Sequence, residues 1–521
     1  MKKQSIDINP EFRKALDIME NSNRHIFITG KAGTGKSTLL DYFRNNTGKE
    51  VAVIAPTGVA ALNIQGQTIH SFFNFKPGIT PEKIKKIVKS EGVIYKAFNT
   101  IIIDEVSMVR ADILDCIEKF LRLNGPYQKQ WFGGIQMIFI GDLYQLPPVV
   151  TSAEKEIFSH KYETPYFFSA KVFEEETFNM EFIELEKVYR QTDADFISLL
   201  NSIRNRSCTN QDIERLNMNY QPDFILPDNE FYITLTSTNE LATTRNIEKL
   251  DALPGVEVRY NGILKGAFDR SSLPADEILK FKPGAQVMLV NNDKYGRWVN
   301  GSLGVISRMG KSESYENECI FVRLQSGKTV EVTPHTWELF EYSYDRTTKQ
   351  ITTRKTASFT QYPIRLAWAV TIHKSQGKTF DKVVIDIGRG TFAHGQVYVA
   401  LSRCTSFNGI ILNKKITKSH IRTDWRIVRF LTQFQYKKSD EKSNYSEKRK
   451  LIEDAIKRQI NLEILYLKPD DTKSLRTIRP ISIENMEYKG KAFEGLKAYC
   501  SLRKNERSFR IDRILEIELC L

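Results

Sequence analysis

The chain lacks the features that mark a disulfide framework, a cysteine metal site or a membrane protein. Its six cysteines are scattered along 521 residues and none lies in a CxxC pair, which argues against zinc and iron–sulfur sites and favours a reducing cytosol. No apolar run approaches the ~18 residues of a membrane span. The opening MKKQSIDINPEF turns polar too early for a signal peptide. We therefore expect a bacterial-type cytoplasmic protein with no membrane partner.

The excess of positive charge is moderate. Lys and Arg number 76 against 63 Asp and Glu, a net charge of +13. A basic balance favours nucleic acid as partner, although a surface charged for solubility explains it equally well on charge alone. With 41% apolar and 27% charged residues the composition is that of an ordinary globular protein. At roughly 100–200 residues per domain, the length predicts about three to five domains.

The first 180 residues alternate short apolar runs with helical patterns. The runs at 25–29, 51–56, 100–106 and 135–141 are continuously apolar, as buried parallel strands are when helices cover both faces of their sheet. This alternation predicts a doubly wound α/β domain over 1–67 and 98–180. Residues 68–97, rich in Phe, Lys and Pro, predict a small insertion.

The α/β pattern resumes after residue 181. Runs at 231–237, 285–290 and 382–388 predict a second α/β sheet, in a domain over 181–300 and 362–435. Between them, 301–361 alternates short strands with turn residues, which predicts a small antiparallel barrel. Residues 436–450 carry nine charged side chains in fifteen and predict a linker. The tail, 451–521, has one helical pattern followed by several strands.

The first predicted domain contains a phosphate-binding motif. Residues 30–37, GKAGTGKS, fit GxxxxGK[ST] between a predicted strand and a predicted helix at 37–43, the context of a P-loop. The glycines let backbone N–H groups wrap the phosphates, and the helix N-terminus adds its dipole. We expect Lys36 to meet the β- and γ-phosphates and the Ser37 hydroxyl to ligate Mg²⁺. The predicted nucleotide-binding residues here are Gly30, Ala32, Gly33, Thr34, Gly35, Lys36, Ser37 and Thr38.

Polar residues that end two further strands suit a hydrolytic site. Asp104 and Glu105 close the run at 100–106; Asp104 suits Mg²⁺ coordination and Glu105 suits polarising the attacking water. Such a pair alone is as often a solvated loop, but the upstream P-loop favours the catalytic interpretation. Gln145, in GDLYQLPP (141–148), suits sensing the γ-phosphate, with a polar turn as the alternative.

Phosphoryl transfer gains greatly from an arginine that meets the developing charge. Two candidates stand out among the basic residues: Arg190 in LEKVYRQ (185–191) and Arg403 in GQVYVALSR (395–403). In the second segment the apolar residues fall at helical spacing on one face, which leaves Gln396 and Arg403 on the adjoining face.

In combination, these segments resemble superfamily-one helicases of the Pif (petite integration frequency) and RecD-like group, and the Pif family above all. The resemblance covers about 20–430, and residues 107–122 resemble a segment peculiar to the Pif family. Its ordered motifs are GKAGTGKST (30–38), APTGVAALN (55–63), GQTIHSFF (66–73), IIIDEVSMV (101–109), FGGIQMIFIGDLYQLPPV (132–149), LEKVYRQTDADFISLLNSIR (185–204), NGSLG (300–304), AWAVTIHKSQGKTFDKVVID (367–386) and GQVYVALSRCTSFNGI (395–410).

The resemblance implies two RecA-like domains that bind ATP and Mg²⁺ between them, with arginines reaching across from the second domain. It implies an ATP-dependent DNA helicase that moves 5′ to 3′ on single-stranded DNA and unwinds duplexes, junctions or G-quadruplexes. A monomer is the default expectation, because no heptad run or swapped segment suggests otherwise. It identifies 68–97 as a wedge and 301–361 as an SH3-like barrel. The family's adenine-sensing glutamine is not evident, since Phe12 stands in its neighbourhood. The nucleotide-site roles fall to Lys36, Ser37, Asp104, Glu105, Gln145, Arg190, Gly377 and Arg403.

The resemblance also implies a nucleic-acid path along loops that follow strand ends. Thr57 and Thr68 would donate to phosphates, while His70 and Phe72 would stack on bases; core packing is the alternative for an isolated His or Phe. Gly377 is predicted to cap a helix C-terminus. The predicted contacts are Pro56, Thr57, Gly58, Asn63, Thr68, His70 and Phe72 on the first domain, and His373, Lys374 and Ser375 on the second.

The tail resembles a WYL domain through IRPISIE (478–484) and residues 496–514, without the tripeptide that gives the domain its name. Its arginines are either a second nucleic-acid surface or a solvated sheet face. Two other functions stay open: a translocase that strips proteins from DNA, and a nucleotide-switched regulatory protein governed by the tail. The full set of hydrolytic groups argues against the second. The basic set comprises Arg476, Arg479, Arg503, Arg507, Arg510 and Arg513, with Tyr499 and Phe509 nearby.

Overall fold

The computed structural model describes residues 7–520 apart from 77, 88–89, 151, 228–229, 267, 269, 271–272, 312–317, 346–347, 349, 389, 391–392, 469–472 and 489. The chain divides into two compact units, Met1–Ile203 with Cys208–Arg422 and Arg204–Ser207 with Thr423–Leu521. Within the described residues, no helix combines the length and apolar character needed to cross a membrane.

A six-stranded parallel sheet, the first sheet, forms the first α/β domain. Its order is β3-β2-β4-β5-β1-β6, and helices flank it as the sequence predicts. The strands are β1 (His25–Gly30), β2 (Val51–Ala55), β3 (Gln67–Thr68), β4 (Thr100–Ile103), β5 (Gln136–Ile140) and β6 (Met180–Leu185). The helices are α1 (Pro10–Asn21), α2 (Lys36–Asn46), α3 (Gly58–Asn63), α4 (Ile69–Phe72), α5 (Ile94–Ala97), α6 (Ala111–Asn124) and α7 (Ser152–Lys161).

The predicted boundary at residue 181 is wrong. Strand β6 pairs in parallel with β1 over six residues, so it is the edge strand of the first sheet. Its side chains Ile183 and Leu185 lie in the same buried cluster as Ile26 and Ile28. The apolar side chains of 180–185 are therefore buried by the first domain. Thr68 likewise belongs to β3 of this sheet, and the insertion begins after it.

The second α/β domain contains a four-stranded parallel sheet, the second sheet, in the order β18-β7-β19-β20. The strands of this part of the chain are β7 (Ile233–Thr236), β8 (Val258–Asn261), β9 (Ile263–Lys265), β10 (Ile278–Phe281), β11 (Gln286–Leu289), β12 (Leu303–Lys311), β13 (Glu318–Leu324), β14 (Thr329–Val332), β15 (His335–Asp345), β16 (Gln350–Gln361), β17 (Ile364–Leu366), β18 (Ala369–Thr371), β19 (Val383–Asp386) and β20 (Ile410–Leu412). The helices are α8 (Ala194–Arg204), α9 (Asn210–Asn217), α10 (Asn239–Asp251) and α11 (Gln396–Leu401).

The run at 285–290 is not part of the second sheet, contrary to the prediction. Strand β11 pairs antiparallel with β12 and β17, inside a five-stranded sheet ordered β14-β13-β12-β11-β17. The barrel therefore extends beyond 301–361 on both sides. A continuously apolar run indicates burial on both faces but not the direction of its neighbours, because the core of a small barrel buries a strand as fully as a parallel sheet does.

Strands β15 and β16 form a long hairpin that reaches the first domain. The two strands pair from His335 with Gln361 to Asp345 with Gln350. Near the tip, the Tyr342 ring packs edge-on against Phe72 and Phe98 at 5.7 and 5.3 Å between centroids. The backbone N–H of Val53 donates to the Tyr342 hydroxyl at 3.3 Å. The hairpin therefore connects the insertions of the two α/β domains.

The second compact unit is a five-stranded antiparallel sheet with two helices. Its strand order is β24-β23-β22-β21-β25. The predicted linker at 436–450 is wrong, because these residues lie mostly in two helices that meet at Ser443-Asn444, where Asn444 and Glu447 form a reciprocal N-terminal cap. The elements are α12 (Trp425–Lys442), α13 (Tyr445–Arg458), β21 (Asn461–Leu467), β22 (Lys473–Tyr488), β23 (Lys491–Cys500), β24 (Asn505–Arg510) and β25 (Ile514–Cys520).

Candidate active site

The loop between β1 and α2 has the geometry of a phosphate cradle. Gly33 and Gly35 have φ of +80° and +88°, a left-handed conformation that glycine adopts without steric cost. Helix α2 begins at Lys36, so Ser37 and Thr38 lie exposed in its first turn. The Lys36 ammonium group donates to the carbonyl oxygens of Gly30 and Lys31 at 2.7 and 2.9 Å. Backbone N–H groups, a helix N-terminus and an ammonium group thus surround one point.

The acidic pair leaves the carboxyl end of the central strand β4. Glu105 has φ +50°, a strained conformation for a side chain of this size, and such strain concentrates at functional sites. Burial and the neighbouring Glu105 charge raise the pKa of Asp104, while Lys36 opposes the rise. Burial also raises the pKa of Glu105, against the charges of Lys36 and Arg403. Two adjacent, half-buried carboxylates therefore depend on nearby cations for their charge.

Gln145 lies beside this pair, on the loop that follows β5. It is 6% exposed, and its amide donates to the Asp142 carboxylate at 3.3 Å. The backbone N–H of Tyr144 donates to the same carboxylate at 3.2 Å. The loop is therefore a buried, hydrogen-bonded turn that holds the Gln145 side chain near Glu105.

A glutamine of the second domain, Gln376, contacts both residues. Its amide donates to Glu105 Oε2 at 3.0 Å and to Gln145 Oε1 at 3.1 Å. Sequence reasoning named its neighbours Ser375 and Gly377 and missed this residue. The available signal was its side chain, because an amide can both donate and accept hydrogen bonds. Gly377 has φ +78° but ends a turn, so its prediction as a helix cap is wrong.

Tyr398, on α11, is a second residue that sequence reasoning missed. The backbone N–H of Ala32, in the P-loop, donates to the Tyr398 hydroxyl at 3.0 Å. The same hydroxyl donates to the Asp142 carboxylate at 3.4 Å. Gly395, just before α11, packs so closely on the carbonyl oxygens of Tyr144 and Gln145 that a Cβ there would lie within 2.6 Å of both. Helix α11 therefore lies directly on the P-loop edge of the first sheet.

The two predicted arginines also lie at this edge, although their origins differ. Arg403 follows α11 and is 1% exposed; burial, together with the charge of Arg190, lowers its pKa to about 9, so it remains protonated at neutral pH. Its guanidinium group donates to Val399 O at 3.0 Å and to Ser402 Oγ at 2.9 Å. Reaching a phosphate therefore requires that the side chain change partners.

Arg190 does not cross from the second domain, contrary to the prediction. It follows β6 of the first sheet, and a Cβ on Gly33 would lie 2.5 Å from its own Cβ. Its guanidinium group donates to Ser402 O at 3.2 Å, and burial lowers its pKa. Arg190 therefore reaches from the P-loop side to the segment that holds Arg403.

A cavity of about 840 Å³ lies between the two domains, the barrel and the long hairpin. Of the predicted nucleic-acid contacts, Asn63 and Lys374 line it, together with Lys378, Arg365 and Trp337. The Lys378 ammonium group donates to Asn300, whose amide donates to Asn63 at 3.1 Å, so a hydrogen-bonded chain crosses the cavity. Burial lowers the pKa of Lys378 to about 8. Cationic and amide groups on opposite walls suit a polyanion.

The other predicted nucleic-acid contacts, apart from Phe72 and Ser375, are half-buried or exposed. Thr57 and Thr68 are N-caps whose hydroxyl oxygens accept from Ala60 N and Ser71 N, which leaves each hydroxyl proton for donation. His70 is exposed and His373 half-buried; partial loss of water around each ring lowers the pKa of both. Pro56 and Gly58 flank Thr57 and are half-buried.

The side chains of Phe72 and Ser375 do not face the predicted path of single-stranded DNA. The Phe72 ring is 6% exposed and packs on Phe73, Tyr95, Phe98 and Tyr342, so its predicted stacking on a base is wrong and core packing explains it. Ser375 is fully buried, and its hydroxyl donates to the Ile372 carbonyl at 2.7 Å. Both side chains stabilise the fold.

The tail arginines do not form one basic surface. Arg476 pairs across the sheet with Ile464, a residue of the helix-covered core. Arg479, three residues on, pairs with Tyr499 on the opposite face, because side chains alternate along a strand. Arg510 is paired with Asp512 at 2.5 Å. Arg476 and Arg479 therefore lie on opposite faces of the sheet, and the second nucleic-acid surface stays a prediction.

Comparisons with known proteins match most of the chain. A family model described as PIF1-like helicase matches residues 8–214, a herpes helicase model matches 345–434, and a WYL domain model matches 447–519. The ATP-dependent DNA helicase PIF1 of Mus musculus is 35% identical over 416 residues, 78% of this chain. The chain spans about 60% of the length of that relative. ATP-dependent DNA helicase Pif1 of Bdellovibrio bacteriovorus is 30% identical over 444 residues, 82% of this chain and 93% of that protein.

Two solved structures of Bacteroides Pif1 resemble the chain. The complex with ADP-AlF4 has a TM-score of 0.74 at 36% identity, covering 84% of this chain and 98% of that one. The complex with ssDNA has a TM-score of 0.58 at 37% identity, covering 81% and 96%. These matches confirm the two RecA-like domains, and the family model confirms the WYL domain at the carboxyl end.

Proposed function

Because the chain belongs to the PIF1-like helicase family, we propose that it is an ATP-dependent DNA helicase that moves 5′ to 3′ on single-stranded DNA and unwinds duplex or structured DNA. One observation carries the proposal: Gln376 and Tyr398 of the second domain contact Glu105, Gln145 and Ala32 of the first. A site shared by two domains changes when they move, which is what a motor requires.

In the proposed reaction, ATP binds with its phosphates on the P-loop and the N-terminus of α2. Lys36 exchanges its two carbonyl acceptors for β- and γ-phosphate oxygens. Glu105 orients and polarises the water that attacks the γ-phosphate, and Gln145 contacts that phosphate. Arg403 and Arg190 stabilise the negative charge that develops on the γ-phosphate. Both side chains already lie at the edge of the first sheet that α11 covers.

The residues present fit Mg²⁺. The exposed Ser37 hydroxyl and the half-buried Asp104 carboxylate are hard oxygen donors, and Mg²⁺ is commonly held by one or two such groups together with substrate phosphates. Asp104 lies beside a second carboxylate, that of Glu105, which raises the pKa of Asp104, so a divalent cation would favour the charged form of Asp104. When bound, the ion would neutralise charge on the β- and γ-phosphate oxygens.

The proposed path of the single-stranded DNA runs through the cavity of about 840 Å³. Asn63 and Lys374 stand on opposite walls. Thr57 follows β2, Thr68 ends β3 and His70 lies in α4, directly after β3. Cleft closure on ATP and opening after hydrolysis would move these two groups of contacts relative to each other along the strand. The similarity to Bacteroides Pif1, which has been solved bound to ssDNA, supports this substrate.

We further propose a monomer that acts in the cytosol at junctions or G-quadruplexes. The forked duplex bound by a Pif1 relative supports the junction. The six scattered cysteines favour a reducing compartment. Analytical ultracentrifugation of the chain with and without a forked oligonucleotide checks the monomer, and two protomers per fork would contradict it.

Strand separation tests the function. One duplex carries either a 5′ or a 3′ single-stranded tail, and unwinding is followed with ATP and Mg²⁺. We expect the 5′-tailed duplex alone to separate. Separation of only the 3′-tailed duplex would overturn the polarity. DNA-stimulated hydrolysis without separation of either would overturn the helicase and leave the protein-stripping translocase.

A further inference from the structure

The lining of the cavity contains two chemically different kinds of side chain. Lys374 and Lys378 line it with ammonium groups, which suit the phosphates of a nucleic acid. Other lining side chains are large and apolar, yet they are exposed rather than packed against protein. A polynucleotide has the same two parts, charged phosphates and apolar base faces. The exposed apolar lining residues are Val59, Ile247, Ile278 and Phe340, with exposed fractions of 40, 51, 55 and 38%.

Phe340 is the aromatic member of this exposed apolar set. The other three members are aliphatic and can pack against a base, whereas a flat ring can stack on one. Trp337 also lines the cavity, but it is 8% exposed and its ring lies 5.7 Å from Phe359 and 4.8 Å from His335 between centroids. The stacking ring that the sequence predicted at Phe72 is therefore offered by Phe340 instead.

The backbone at Phe340 is fixed on both sides. Strand β15 is the edge strand of a three-stranded sheet ordered β15-β16-β9, and Phe340 pairs with Lys355 of β16. On the other side, the Phe340 carbonyl oxygen accepts from the side-chain amide of Gln67, in β3 of the first sheet. Two residues further on, the Tyr342 hydroxyl accepts from Val53 N at 3.3 Å. A ring on a backbone held in this way loses little freedom when a base stacks on it.

Two of the carboxylates that line the cavity are paired with cations. Glu338, two residues before Phe340, lies 2.5 Å from the ammonium group of Lys355. Asp276 lies 3.5 Å from the guanidinium group of Arg365. These pairs reduce the repulsion that a phosphate would meet in the cavity.

We propose that Phe340 is a base-stacking residue, on whose ring a base of single-stranded DNA lies while phosphates of the same DNA meet Lys374 and Lys378. The inference rests on the proposed function, because it places single-stranded DNA in the cavity. It adds a contact with the bases on the long hairpin, to which no contact predicted from the sequence belongs. Stacking reads no base edge, so this contact tolerates every sequence.

Three substitutions in the full chain test the proposal. Phe340→Ala removes the ring, Phe340→Leu keeps an apolar side chain without a ring, and Phe340→Trp keeps a ring. Tyr127→Ala is the matched control, since Tyr127 is 60% exposed and is not among the residues that line the cavity. Fluorescence anisotropy at several salt concentrations measures binding of a single-stranded oligonucleotide and of an abasic oligonucleotide of the same length. Far-UV circular dichroism and thermal melting establish that each variant is folded.

We expect Phe340→Ala to raise the dissociation constant for the intact oligonucleotide by about tenfold, within the range measured for loss of one stacked base. The dependence of log affinity on log salt stays the same, because a neutral ring releases no counterions. Phe340→Leu loses nearly as much affinity, and Phe340→Trp stays within about twofold of the unaltered chain. All variants bind the abasic oligonucleotide as the unaltered chain does, and the control is unchanged on both.

Other results overturn the proposal. Equal affinity of a folded Phe340→Ala variant and the unaltered chain for the intact oligonucleotide means that no base lies on the ring. Equal losses on the intact and the abasic oligonucleotide mean that the ring supports the hairpin and does not contact a base. A loss seen only with a forked duplex assigns the ring to the duplex. An unaltered chain that binds no single-stranded DNA overturns the proposed function and this inference together, whereas the first three results overturn the inference alone.

Discussion

The two parallel sheets contribute different kinds of group to one site. The first sheet supplies groups fixed by the backbone: the P-loop N–H groups, the N-terminus of α2, and Glu105 in its left-handed conformation. The second sheet supplies side chains that reach across, namely Gln376, Tyr398 and Arg403.

This difference between the two sheets predicts separate effects on nucleotide binding and on ATP hydrolysis. Backbone groups of one loop can bind phosphates whatever the second sheet does. Side chains that cross act only in the arrangement that brings the sheets together. We therefore expect changes on the first sheet to abolish both nucleotide binding and hydrolysis, and changes on the second sheet to abolish hydrolysis while nucleotide binding remains.

The largest effect is expected from Lys36→Ala on the first sheet. Loss of the ammonium group that meets the phosphates should lower hydrolysis by at least about 10³-fold and weaken ATP binding, measured by steady-state turnover and by calorimetry. Single-stranded DNA binding, followed by fluorescence anisotropy, should change little, because Lys36 is not among the residues that line the cavity. Retained turnover would show that this loop is not the site. Lys187→Ala, an exposed lysine paired with Asp7, is the control.

Arg403→Lys tests whether a side chain from the second sheet affects hydrolysis without affecting ATP binding. Lysine keeps the charge but loses the planar fork that donates to two oxygens at once. We expect hydrolysis to fall by about 10³-fold while ATP binding stays within about twofold of the unaltered chain. Equal losses of binding and turnover would contradict the division between the sheets. Thermal melting checks the fold, since Arg403 is buried.

Tyr398→Phe should strengthen ATP binding, whereas Lys36→Ala should weaken it. The hydroxyl occupies the Ala32 N–H, which a phosphate oxygen would otherwise use. Removing one neutral hydrogen bond of about 0.5–1.5 kcal/mol should lower the dissociation constant for ATP by about 2- to 10-fold, read by calorimetry. Weaker ATP binding would show that the hydroxyl assists the nucleotide. Tyr127→Phe, on an exposed ring, is the control.

Lys374→Ala tests the cavity side of the second sheet. If the side chain contacts a phosphate, single-strand affinity should weaken uniformly across sequences, and the dependence of log affinity on log salt should become shallower by about one. Anisotropy titrations at several salt concentrations measure both quantities. An unchanged salt dependence would remove Lys374 from the strand path. Lys415→Ala, a lysine that lies over the Tyr220 ring, is a suitable comparison.

The smallest effect on turnover is expected from removal of the second unit. A chain that ends at Arg422 omits the second unit apart from Arg204–Ser207, and its basal kcat should stay within about twofold, as nucleotide-site groups belong to the two sheets. A chain that ends at residue 440 keeps most of α12 without β25, against which Ser439 donates to Leu515 O at 2.6 Å. We expect that chain to aggregate, because burial of the apolar side of α12 is lost. Light scattering compares the two.

The groups of the first sheet were predictable because they are local. The P-loop and the Asp104-Glu105 pair each lie directly after an apolar run, and the carboxyl ends of neighbouring parallel strands meet at one edge. Their positions follow from short segments of chain. The two α/β sheets were predictable for the same reason.

Groups that depend on contacts between segments were not predictable from local pattern. Gln376 and Tyr398 acquire their roles from residues 271 and 366 positions away. Strand β6 was assigned to the second domain because nothing in its own sequence indicates that it pairs with β1. The charged residues at 436–450 looked like a linker because net polarity does not distinguish an irregular segment from two helices with only one buried stripe each.

The long hairpin lines the cavity and also contacts the first domain. Its strands carry Trp337 and Phe340 over the cavity, and Tyr342 fastens its far end to the first domain. On the proposed path, single-stranded DNA in the cavity would pass between the first domain and the hairpin. We therefore expect a covalently closed single-stranded circle to dissociate more slowly than linear DNA, because a circle has no free end. Tyr342→Ala, which removes the contacts of the hairpin with Phe72 and Val53, should shorten the lifetime on circular DNA more than the lifetime on linear DNA.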